Sequence, residues 1–487
     1  MNSTYDQIII GAGFAGLCAA INLKKAGENN FVILERNDSI GGTWYDNHYP
    51  GAACDVESHL YSYSFEPNPH WSRQFGPQEE ILKYMEHCAE KYDLQKHVQL
   101  NTNVTRAIFD ETSGTWTVST ATGKSYTGKV VVSCSGGLSQ PSFPDIKGLN
   151  TFQGKVFHSA MWDRTYDLTN KTVGVIGTGA SAIQIVPAIA GQVKQLHLFQ
   201  RTPPWILPKP DKDISALRQW FYTNLPFTQR LHRKRLYWQH EIMAVGFIKN
   251  PKILKLFSKL ALRFLKQSVP DEALRKKLTP NYVMGCKRVL ITNDYFPALN
   301  RTNVEVVTEP IAAINASGIL TGDGIQRNVD ALVLATGFQA AEEVSRFEVK
   351  GRNGIDLNEA WRNGAEAYLG TSVAGFPNMF LVVGPNTGLG HSSMILMIEA
   401  QVKLIMESLK AMKLSKAKFI DVKKSAQQEY NREIQEKLSG TVWQTGGCAS
   451  WYQTKSGKNV TLWPGFTFSF MKRTEKFEPE KYEMVPS

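Results

Sequence analysis

The chain has 487 residues, which is enough for more than one domain with a sizeable core. Its composition, 42% hydrophobic and 20% charged, is that of a globular protein and excludes a disordered or fibrous chain. The net charge of +11 is uneven, because residues 211–270 carry 12 Lys and Arg against 3 Asp and Glu.

The first predicted unit is a strand, a glycine-rich turn and a helix near the N-terminus. The turn contains Gly11, Gly13 and Gly16, and a later apolar run, 31–34, ends at Glu35, 24 residues after Gly11. Glycines at this spacing let a backbone approach a pyrophosphate, which the N-terminus of the following helix attracts. An acid after the second strand accepts hydrogen bonds from a ribose diol. The unit therefore predicts a site for FAD or NAD.

Further strands are predicted from alternation and from short apolar runs. Residues 98–120 predict antiparallel strands, and 130–136 predicts a buried strand that ends in small residues. Residues 331–338 repeat that second pattern. From about residue 370 the chain is expected to return to the first domain, with a buried strand, a glycine-rich loop and a helix over about 392–412.

A second strand and glycine-rich turn begin 166 residues after the first turn. Gly177 and Gly179 repeat the pattern, Ala182 replaces the third glycine, and Arg201 stands 24 residues after Gly177. An arginine at this position pairs with a 2′-phosphate, which favours NADP. A chain with both kinds of site can pass a hydride from nicotinamide to flavin. We therefore expect FAD and NADPH as cofactors.

The basic segment 211–270 interrupts the second unit and has the apolar spacing of helices. We interpret its charge mainly as a solvated helical face that helps to attract anionic NADPH. Peripheral contact with anionic lipid is the alternative, because basic amphipathic helices bind such surfaces. Nucleic-acid binding is not expected, because no recognition motif accompanies the charge.

The cysteines and the N-terminus bear on the compartment. The six cysteines are Cys18, Cys54, Cys88, Cys134, Cys286 and Cys448. They show no CxxC or metal-ligand spacing, so we expect reduced thiols and no metal site. No CxxxxC pair follows the first turn, which argues against a disulfide reductase. Because the N-terminus lacks a secretory pattern and no apolar run reaches about 18 residues, a cytoplasmic protein without a transmembrane segment is expected.

Two longer segments carry a family resemblance. Residues 41–55 match the pattern GGxWxxxxYPGxxxD, and residues 152–163 match FxGxxxHxxxWD. Both resemble the signatures of the type I Baeyer–Villiger monooxygenases, which are class B flavoprotein monooxygenases. The Trp-Asp ending of the second segment distinguishes this family from the related flavin-containing N/S-monooxygenases. Residues 199–203 and 335–337 are also similar to family segments, so the resemblance runs through nearly the whole chain.

The resemblance implies roles for particular residues. Asp55 resembles the active-site aspartate beside the flavin, Arg288 the active-site arginine, and Trp451 a tryptophan on a mobile loop over NADP. The expected FAD contacts are Gly11, Gly13, Phe14, Ala15, Gly16, Glu35, Gly42, Thr43, Trp44, Asp55, Tyr61, Val104 and Met394. The expected NADP contacts are Gly177, Thr178, Gly179, Ala180, Ser181, Ala182, Arg201, Thr202, Lys287, Arg288 and Trp451. His158 is expected to fix the link between domains rather than to act as a base.

The predicted fold class is α/β, with two Rossmann-like dinucleotide-binding domains, for FAD and NADP, and a helical insert in the second. The expected FAD-binding domain is 1–147 plus 370–487, and the expected NADP-binding domain is 150–210 plus 287–369. The basic helical insert is expected over 211–286.

The resemblance implies an NADPH- and O2-dependent monooxygenase that inserts one oxygen next to a ketone carbonyl, by way of a C4a-peroxyflavin, to give an ester or lactone. A positively charged Arg288 would stabilise the developing oxyanion, and Asp55 would orient it. The expected partners are a small apolar ketone and O2; the oligomeric state stays open. Two alternatives remain: an N/S-monooxygenase, and a non-oxygenating NADPH oxidase or nucleotide sensor, in which Asp55 and Arg288 would be dispensable.

Overall fold

The computed structural model describes residues 3–250, 252–339, 345–448 and 450–486. The helices are α1 (Phe14–Lys25), α2 (Thr43–Asp46), α3 (Gln78–Lys91), α4 (Ala182–Ile189), α5 (Ala216–Asn224), α6 (Pro226–Ile248), α7 (Lys252–Ser268), α8 (Glu272–Lys277), α9 (Tyr295–Leu299), α10 (Leu357–Ala360), α11 (Met394–Ser415), α12 (Lys424–Ser439), α13 (Val442–Thr445) and α14 (Thr467–Arg473). The helix expected over about 392–412 is confirmed as α11.

Within the described residues, the strands form two larger sheets and three small ones. Those of the first half are β1 (Ser3–Ile10), β2 (Phe31–Leu34), β3 (Val98–Gln99), β4 (Val104–Asp110), β5 (Thr115–Thr120), β6 (Ser125–Ser133), β7 (Lys155–His158), β8 (Thr172–Ile176), β9 (Gln195–Phe199) and β10 (Ile206–Leu207). Those of the second half are β11 (Leu290–Ile291), β12 (Val304–Val307), β13 (Ile311–Asn315), β14 (Gly318–Thr321), β15 (Gln326–Asn328), β16 (Ala331–Leu334), β17 (Glu348–Lys350), β18 (Met379–Leu381), β19 (Ala417–Val422) and β20 (Tyr482–Pro486).

The first sheet has the strand order β17-β4-β5-β6-β1-β2-β3, and β18 pairs with β6. β1 is parallel to both β2 and β6, so the carboxyl ends of these three strands meet at one edge. β4 and β5 are antiparallel, as predicted for residues 98–120. The turn that begins at Gly11 leads from β1 into α1, which confirms the predicted strand–turn–helix–strand unit. The edge where these strands end is the usual ligand-binding edge of an open α/β sheet.

The second sheet is parallel throughout, in the order β12-β9-β8-β16-β7. Its turn, which begins at Gly177, leads from β8 into α4. Every residue of β16 is buried, as expected of a parallel strand covered on both faces. Two sheets with parallel cores, each opening onto a glycine turn and a helix, confirm the predicted fold class.

One predicted boundary disagrees with the strand pairing. β17 pairs with β4, so residues 348–350 belong to the first sheet although they fall inside the predicted range 287–369. Leu357 and Trp361 lie in the same apolar core as Trp116 of β5. The predicted boundary at residue 369 is therefore wrong. The sequence did not reveal β17, because a three-residue strand is too short to show hydrophobic periodicity.

The helices α5 to α8 lie between β10 and β11, which pair with each other in parallel. Their inner sides reach both large cores: Leu236 and Leu254 pack with the first, and Leu265 packs with the second. The insert therefore bridges the two nucleotide units. Across the described ranges, no helix combines the length and the apolarity that crossing a bilayer would require.

Candidate active site between two nucleotide turns

The first glycine turn is packed too closely for side chains. Gly11 has φ +101°, and a Cβ there would lie 2.6 Å from the carbonyl oxygen of Cys134, at the end of β6. A Cβ on Gly16 would lie 1.9 Å from the carbonyl oxygen of Gly11. Gly42, from the first signature segment, has its backbone against that of Gly13, because its Cβ would lie 3.0 Å from the Gly13 Cα. Two backbone loops thus meet at the N-terminus of α1, where a pyrophosphate is attracted.

Glu35 follows β2 directly and is 4% exposed. One carboxylate oxygen accepts a hydrogen bond from the N–H of Ala12 at 2.7 Å, and the other accepts one from Asn37 at 2.9 Å. Burial raises the pKa of Glu35, and these backbone donors offset only part of that effect. The carboxylate is therefore fixed beside the glycine turn, where the sequence places the ribose diol.

The other expected flavin contacts come from several elements of the first unit. Phe14 and Trp44 both surround Tyr61: the Phe14 ring lies 5.4 Å from the Tyr61 ring, and Trp44 Nε1 donates to the Tyr61 hydroxyl at 3.1 Å. Met394 begins α11, and its sulfur accepts a hydrogen bond from the N–H of Leu389. Ala15 and Thr43 lie in the first turns of α1 and α2.

Val104 is the one expected flavin contact that lies on a strand. It begins β4 and is 8% exposed. It belongs to the same apolar core as Ile10 and Leu34, the last residues of β1 and β2. The segment just before it lies beside Glu35, because Thr102 donates its N–H to the carbonyl oxygen of Glu35 at 2.7 Å.

The second glycine turn repeats the backbone shape of the first. Gly177 has φ +113°, and a Cβ there would lie 2.3 Å from the carbonyl oxygen of Ala335, at the end of β16. Thr178 donates through its hydroxyl to the carbonyl oxygen of Thr202 at 2.9 Å, which ties the turn to the segment after β9. Gly179 faces open space, and Ala180 and Ser181 lead into Ala182, the buried first residue of α4.

Two cations lie beside this turn. Arg201 follows β9 and is exposed, and Lys287 Nζ lies 5.1 Å from the ring centre of Tyr282. Burial, and then the charge of Arg201, lower the pKa of Lys287, which places the two cations near each other. In the described parts of the chain, no carboxylate lies within 4.0 Å of either one. Two neighbouring cations without a protein counter-ion fit a phosphate dianion.

Asp55 and Arg288 form the ion pair that joins the two units. Arg288 donates from Nε at 2.8 Å and from Nη2 at 2.5 Å to the same carboxylate oxygen, Oδ2. Burial alone would raise the pKa of Asp55, but the charge and hydrogen bonds of Arg288 outweigh it, and the pKa is lowered. The Asp55 charge in turn raises the pKa of Arg288. Both side chains keep about a third of their surface exposed, 31% for Asp55 and 32% for Arg288.

The two signature segments contact each other, and the first also contacts α4. His48 Nε2 lies 2.9 Å from the carbonyl oxygen of Trp162. Tyr49 donates to the Gln184 side chain at 2.8 Å, and Gln184 on α4 donates to the carbonyl oxygen of Ala53 at 2.9 Å. These side chains line a cleft of about 980 Å³ that takes residues from both nucleotide units. The signatures therefore seat the first unit against the helix of the second.

His158 ends β7 and is 1% exposed. Its Nδ1 accepts a hydrogen bond from the N–H of Ala160, and its ring lies 5.6 Å from that of Phe143 and 5.8 Å from that of Phe338. It thus sits between the connector and the end of β16. This position suits the linking role expected from the sequence, which stays a prediction.

Near the C-terminus the structure favours a neighbour of the expected residue. Trp451 is 42% exposed, whereas Tyr452 is 1% exposed. Burial raises the pKa of Tyr452 to about 12, and the positive charge of Arg288 works against that rise, which places the two side chains near each other. Lys209 is placed near Asp55 in the same way, because its charge contributes to the lowered pKa of that carboxyl. Sequence reasoning missed Tyr452 and Lys209, because neither lies in a recognised motif.

The expectation that all six cysteines are free thiols is wrong for two of them. Cys286 and Cys448 form a disulfide with Cα atoms 6.2 Å apart, although 162 residues separate them in sequence. Only the tertiary fold brings the pair together, so spacing could not reveal it. The bond joins the segment before Arg288 to the loop that carries Tyr452. Among the described residues, no group of His, Cys, Asp and Glu could hold a metal ion.

Comparison with known proteins agrees with this arrangement. Residues 8–249 match the family model described as pyridine nucleotide-disulphide oxidoreductase. A Baeyer–Villiger monooxygenase of Pseudomonas aeruginosa is 49% identical over 478 residues, covering 98% of this chain and 91% of that protein. One from Streptomyces coelicolor is 45% identical, covering 98% of this chain and 92% of that protein.

Solved structures give the same result for the fold. Cyclohexanone monooxygenase from Rhodococcus sp. Phi1 bound to NADP⁺ matches with a TM-score of 0.90 and 28% identity over 100% of both chains. OTEMO in complex with FAD and NADP matches with a TM-score of 0.89 and 27% identity, again over 100% of both chains. With relatives this similar over nearly its whole length, the chain belongs to the Baeyer–Villiger monooxygenases.

Proposed function

We propose that the chain is an NADPH- and O2-dependent FAD monooxygenase that inserts one oxygen atom next to a ketone carbonyl, giving an ester or lactone. The observation that carries the proposal is the Asp55–Arg288 pair, because it places a permanent positive charge where the two nucleotide units meet. An oxygenase that attacks a carbonyl needs such a charge for its oxyanions. The named activity of the relatives supports the same reaction.

The residues present fit both cofactors. At the first turn, a Cβ on Gly11 or Gly16 would clash with a neighbouring backbone carbonyl oxygen, so the turn is closely packed. Glu35 is fixed beside this turn by the N–H of Ala12. At the second turn, Arg201 and Lys287 offer two cations to a 2′-phosphate. FAD would therefore bind at the first turn and NADPH at the second. When bound, the nicotinamide supplies a hydride and the flavin supplies the activation of O2.

Arg288 is suited to stabilise negative charge on oxygen. Its Nε and Nη2 both donate to one oxygen of Asp55, and in the described chain no partner is found for Nη1. The N–H groups of Nη1 are therefore free to meet an oxyanion. Because Asp55 raises the pKa of Arg288, the guanidinium keeps its charge at every working pH. Asp55 acts as a positioning residue, since it fixes the plane of the guanidinium.

The loop before α14 is suited to exclude water. Tyr452 packs its buried ring near Arg288, and Trp451 lies against it with ring centres 4.4 Å apart. The Cys286–Cys448 bond anchors this loop to the segment that carries Arg288. A dry site strengthens the interaction of a guanidinium with an oxyanion. Trp451 lies on this loop, and the contact with NADP that the sequence predicts for it remains part of the proposal.

The partners proposed are a small apolar ketone and O2. Nucleic acid is not among them, because the basic insert carries no recognition motif. The cytoplasm is the location that we propose from the sequence. Oxygenation of amines or sulfides, or release of hydrogen peroxide by an NADPH oxidase, would use the same cofactors, so the products must decide between these reactions.

The test compares Arg288→Ala with the parent in two measurements. Flavin reduction by NADPH should change by less than about tenfold, whereas ester or lactone formation from a panel of ketones should fall by about 100-fold or more. The arginine acts on oxygen and not on the hydride, so the two losses should be unequal. Arg106→Ala is the matched control, because Arg106 also pairs with a carboxylate, that of Glu348, but does so at the surface.

Three outcomes would count against the proposal. Equal losses in both measurements would mean that Arg288 serves cofactor binding alone. Oxidised amines or sulfides without any ester would favour an N/S-monooxygenase. Stoichiometric release of hydrogen peroxide from the parent, unchanged by Arg288→Ala, would identify an oxidase.

A further inference from the structure

One side of α6 exposes large apolar side chains to solvent. Phe227, Leu231, Trp238 and Ile242 follow one another at spacings of four, seven and four residues, which places them on one side of the helix. Their exposed fractions are 56%, 60%, 50% and 69%. The opposite side, which includes the buried Leu236, packs on the core of the first unit.

The apolar surface continues onto neighbouring elements. The ring of Phe468, on α14, lies 6.4 Å from that of Trp238, and Phe468 is 46% exposed. α5 packs against α6 and presents Trp220, which is 55% exposed. We call Phe227, Leu231, Trp238, Ile242 and Phe468 the exposed apolar face. Single exposed apolar residues are normal, but a set along one helix and its neighbours marks a contact surface.

Cations flank this face. From residue 214 to residue 270 the sequence has eleven Lys and Arg and one acid, Glu241, which is buried. On α6, Arg230, Lys234 and Arg235 are exposed and lie beside the apolar stripe. Across the described ranges, none of these three forms an ion pair with a carboxylate. The cations are therefore available to a partner.

α7 has the same design on its outer side. Leu256 and Leu260 are 69% and 46% exposed, and Lys255 and Lys259 stand beside them with no carboxylate partner in the described chain. The opposite side of α7, with Leu254, is buried. Two successive helices, α6 and α7, thus combine exposed apolar residues with unpaired cations. The pattern is therefore not limited to the stripe on α6.

We propose that the exposed apolar face and its flanking cations dock the protein on an anionic lipid bilayer. Large apolar side chains would enter the boundary between headgroups and acyl chains, where tryptophan is favoured, and the cations would meet lipid phosphates. This docking does not depend on the oxygenation chemistry.

The charge argues against two other occupants. A second copy that used the same surface would place unpaired cations opposite cations, which is unfavourable in an isologous interface. Nucleic acid would pair with the cations but would leave the central apolar stripe in water. An anionic bilayer satisfies both kinds of side chain at once.

The test is flotation of the full-length, FAD-loaded protein with vesicles. We expect binding to phosphatidylcholine and phosphatidylglycerol in a two-to-one ratio, and little binding to phosphatidylcholine alone. The triple variant Leu231→Ser, Trp238→Ser, Ile242→Ser should lower the partition coefficient by about tenfold or more. The double variant Lys234→Glu, Arg235→Glu should lower it by about tenfold or more, because each cation near an anionic surface is worth about fivefold.

Matched controls change similar residues elsewhere. Leu414→Ser with Ile325→Ser removes apolar residues that are 77% and 50% exposed, and Lys124→Glu with Lys194→Glu reverses two exposed charges. Both controls should bind the mixed vesicles like the parent, and NADPH oxidation at saturating NADPH should be unchanged in all four variants.

Three results would overturn the proposal. The first is absence of binding to the mixed vesicles. The second is binding that the controls reduce as much as the test variants do. The third is a dimer that only the triple variant dissociates, without vesicle binding, which would assign the face to a second copy of the chain.

Discussion

The two glycine turns share a backbone shape but differ in how their charged partners are held. Glu35 is buried, and both of its carboxylate oxygens accept hydrogen bonds from backbone N–H groups. Arg201 is exposed and has no carboxylate partner in the part of the chain that the structure describes. A fixed acid is in place before a ligand arrives, whereas a free cation gains its partner from the ligand. We infer that the first turn retains its nucleotide. The second turn would exchange its nucleotide and distinguish NADPH from NADH.

The packing of the two helices shows the same contrast. In the first turn a Cβ on Gly16 would lie 1.9 Å from the carbonyl oxygen of Gly11. In the second turn the equivalent position is Ala182, which is buried with its methyl group accommodated. α1 therefore lies closer to its turn than α4 does to its own. The first site is the more rigidly specified of the two.

The largest expected effect comes from Gly16→Ala. The added methyl group has to push α1 away from Gly11, which would open the turn where we propose that the pyrophosphate binds. We expect purified protein to retain about tenfold less flavin or worse, measured from the ratio of flavin to protein absorbance. Gly191→Ala is the matched control, since no heavy atom lies within 4 Å of its Cβ position. Parent-like flavin content in Gly16→Ala would remove the contrast in packing.

The next effect is expected from Arg201→Ala. Loss of a charge-assisted contact to the 2′-phosphate should raise the Michaelis constant for NADPH by between about tenfold and 100-fold. NADH lacks that phosphate, so its Michaelis constant should stay near that of the parent, and bound flavin should be unaffected. The measurement is the rate of flavin reduction over a range of each cofactor. Arg362→Ala, at another exposed arginine, is the control. Equal losses with both cofactors would contradict the role of Arg201.

These contrasts were largely predictable from sequence because they depend on local patterns. A turn, a helix and a polar residue at a fixed distance are set by neighbours along the chain, so Glu35 and Arg201 could be singled out directly. Asp55 and Arg288 are 233 residues apart, and no spacing rule pairs them. Their roles came from the family resemblance, and the structure shows that they touch.

What the sequence did not predict depends on long-range contacts. The pairing of β17 with β4 joins two short segments more than 200 residues apart. The Cys286–Cys448 bond and the burial of Tyr452 near Arg288 also arise only when the C-terminal loop closes on the insert. In each case the neighbouring residues in the sequence form no recognisable pattern. These contacts could therefore not be predicted from the sequence alone.

Lys287 gives the smallest and most specific test of the second site. Burial, and then the charge of Arg201, lower its pKa, so it loses its proton at a lower pH than an exposed lysine would. The ammonium attracts phosphate and the neutral amine does not. The Michaelis constant for NADPH should therefore be flat at neutral pH and rise as the pH passes through the lowered pKa. The constant for NADH should show no such rise.

Two substitutions separate this titration from other alkaline effects. Lys287→Arg should abolish the rise in the Michaelis constant for NADPH, because a guanidinium stays charged across this pH range. Lys287→Ala should raise that constant by about tenfold at neutral pH and leave it unchanged at higher pH. A rise that persists in Lys287→Arg would come from another group and would leave Arg201 as the single proposed phosphate contact. The second turn would then resemble the first, with one charged partner each, and discrimination would rest on the sign of that charge alone.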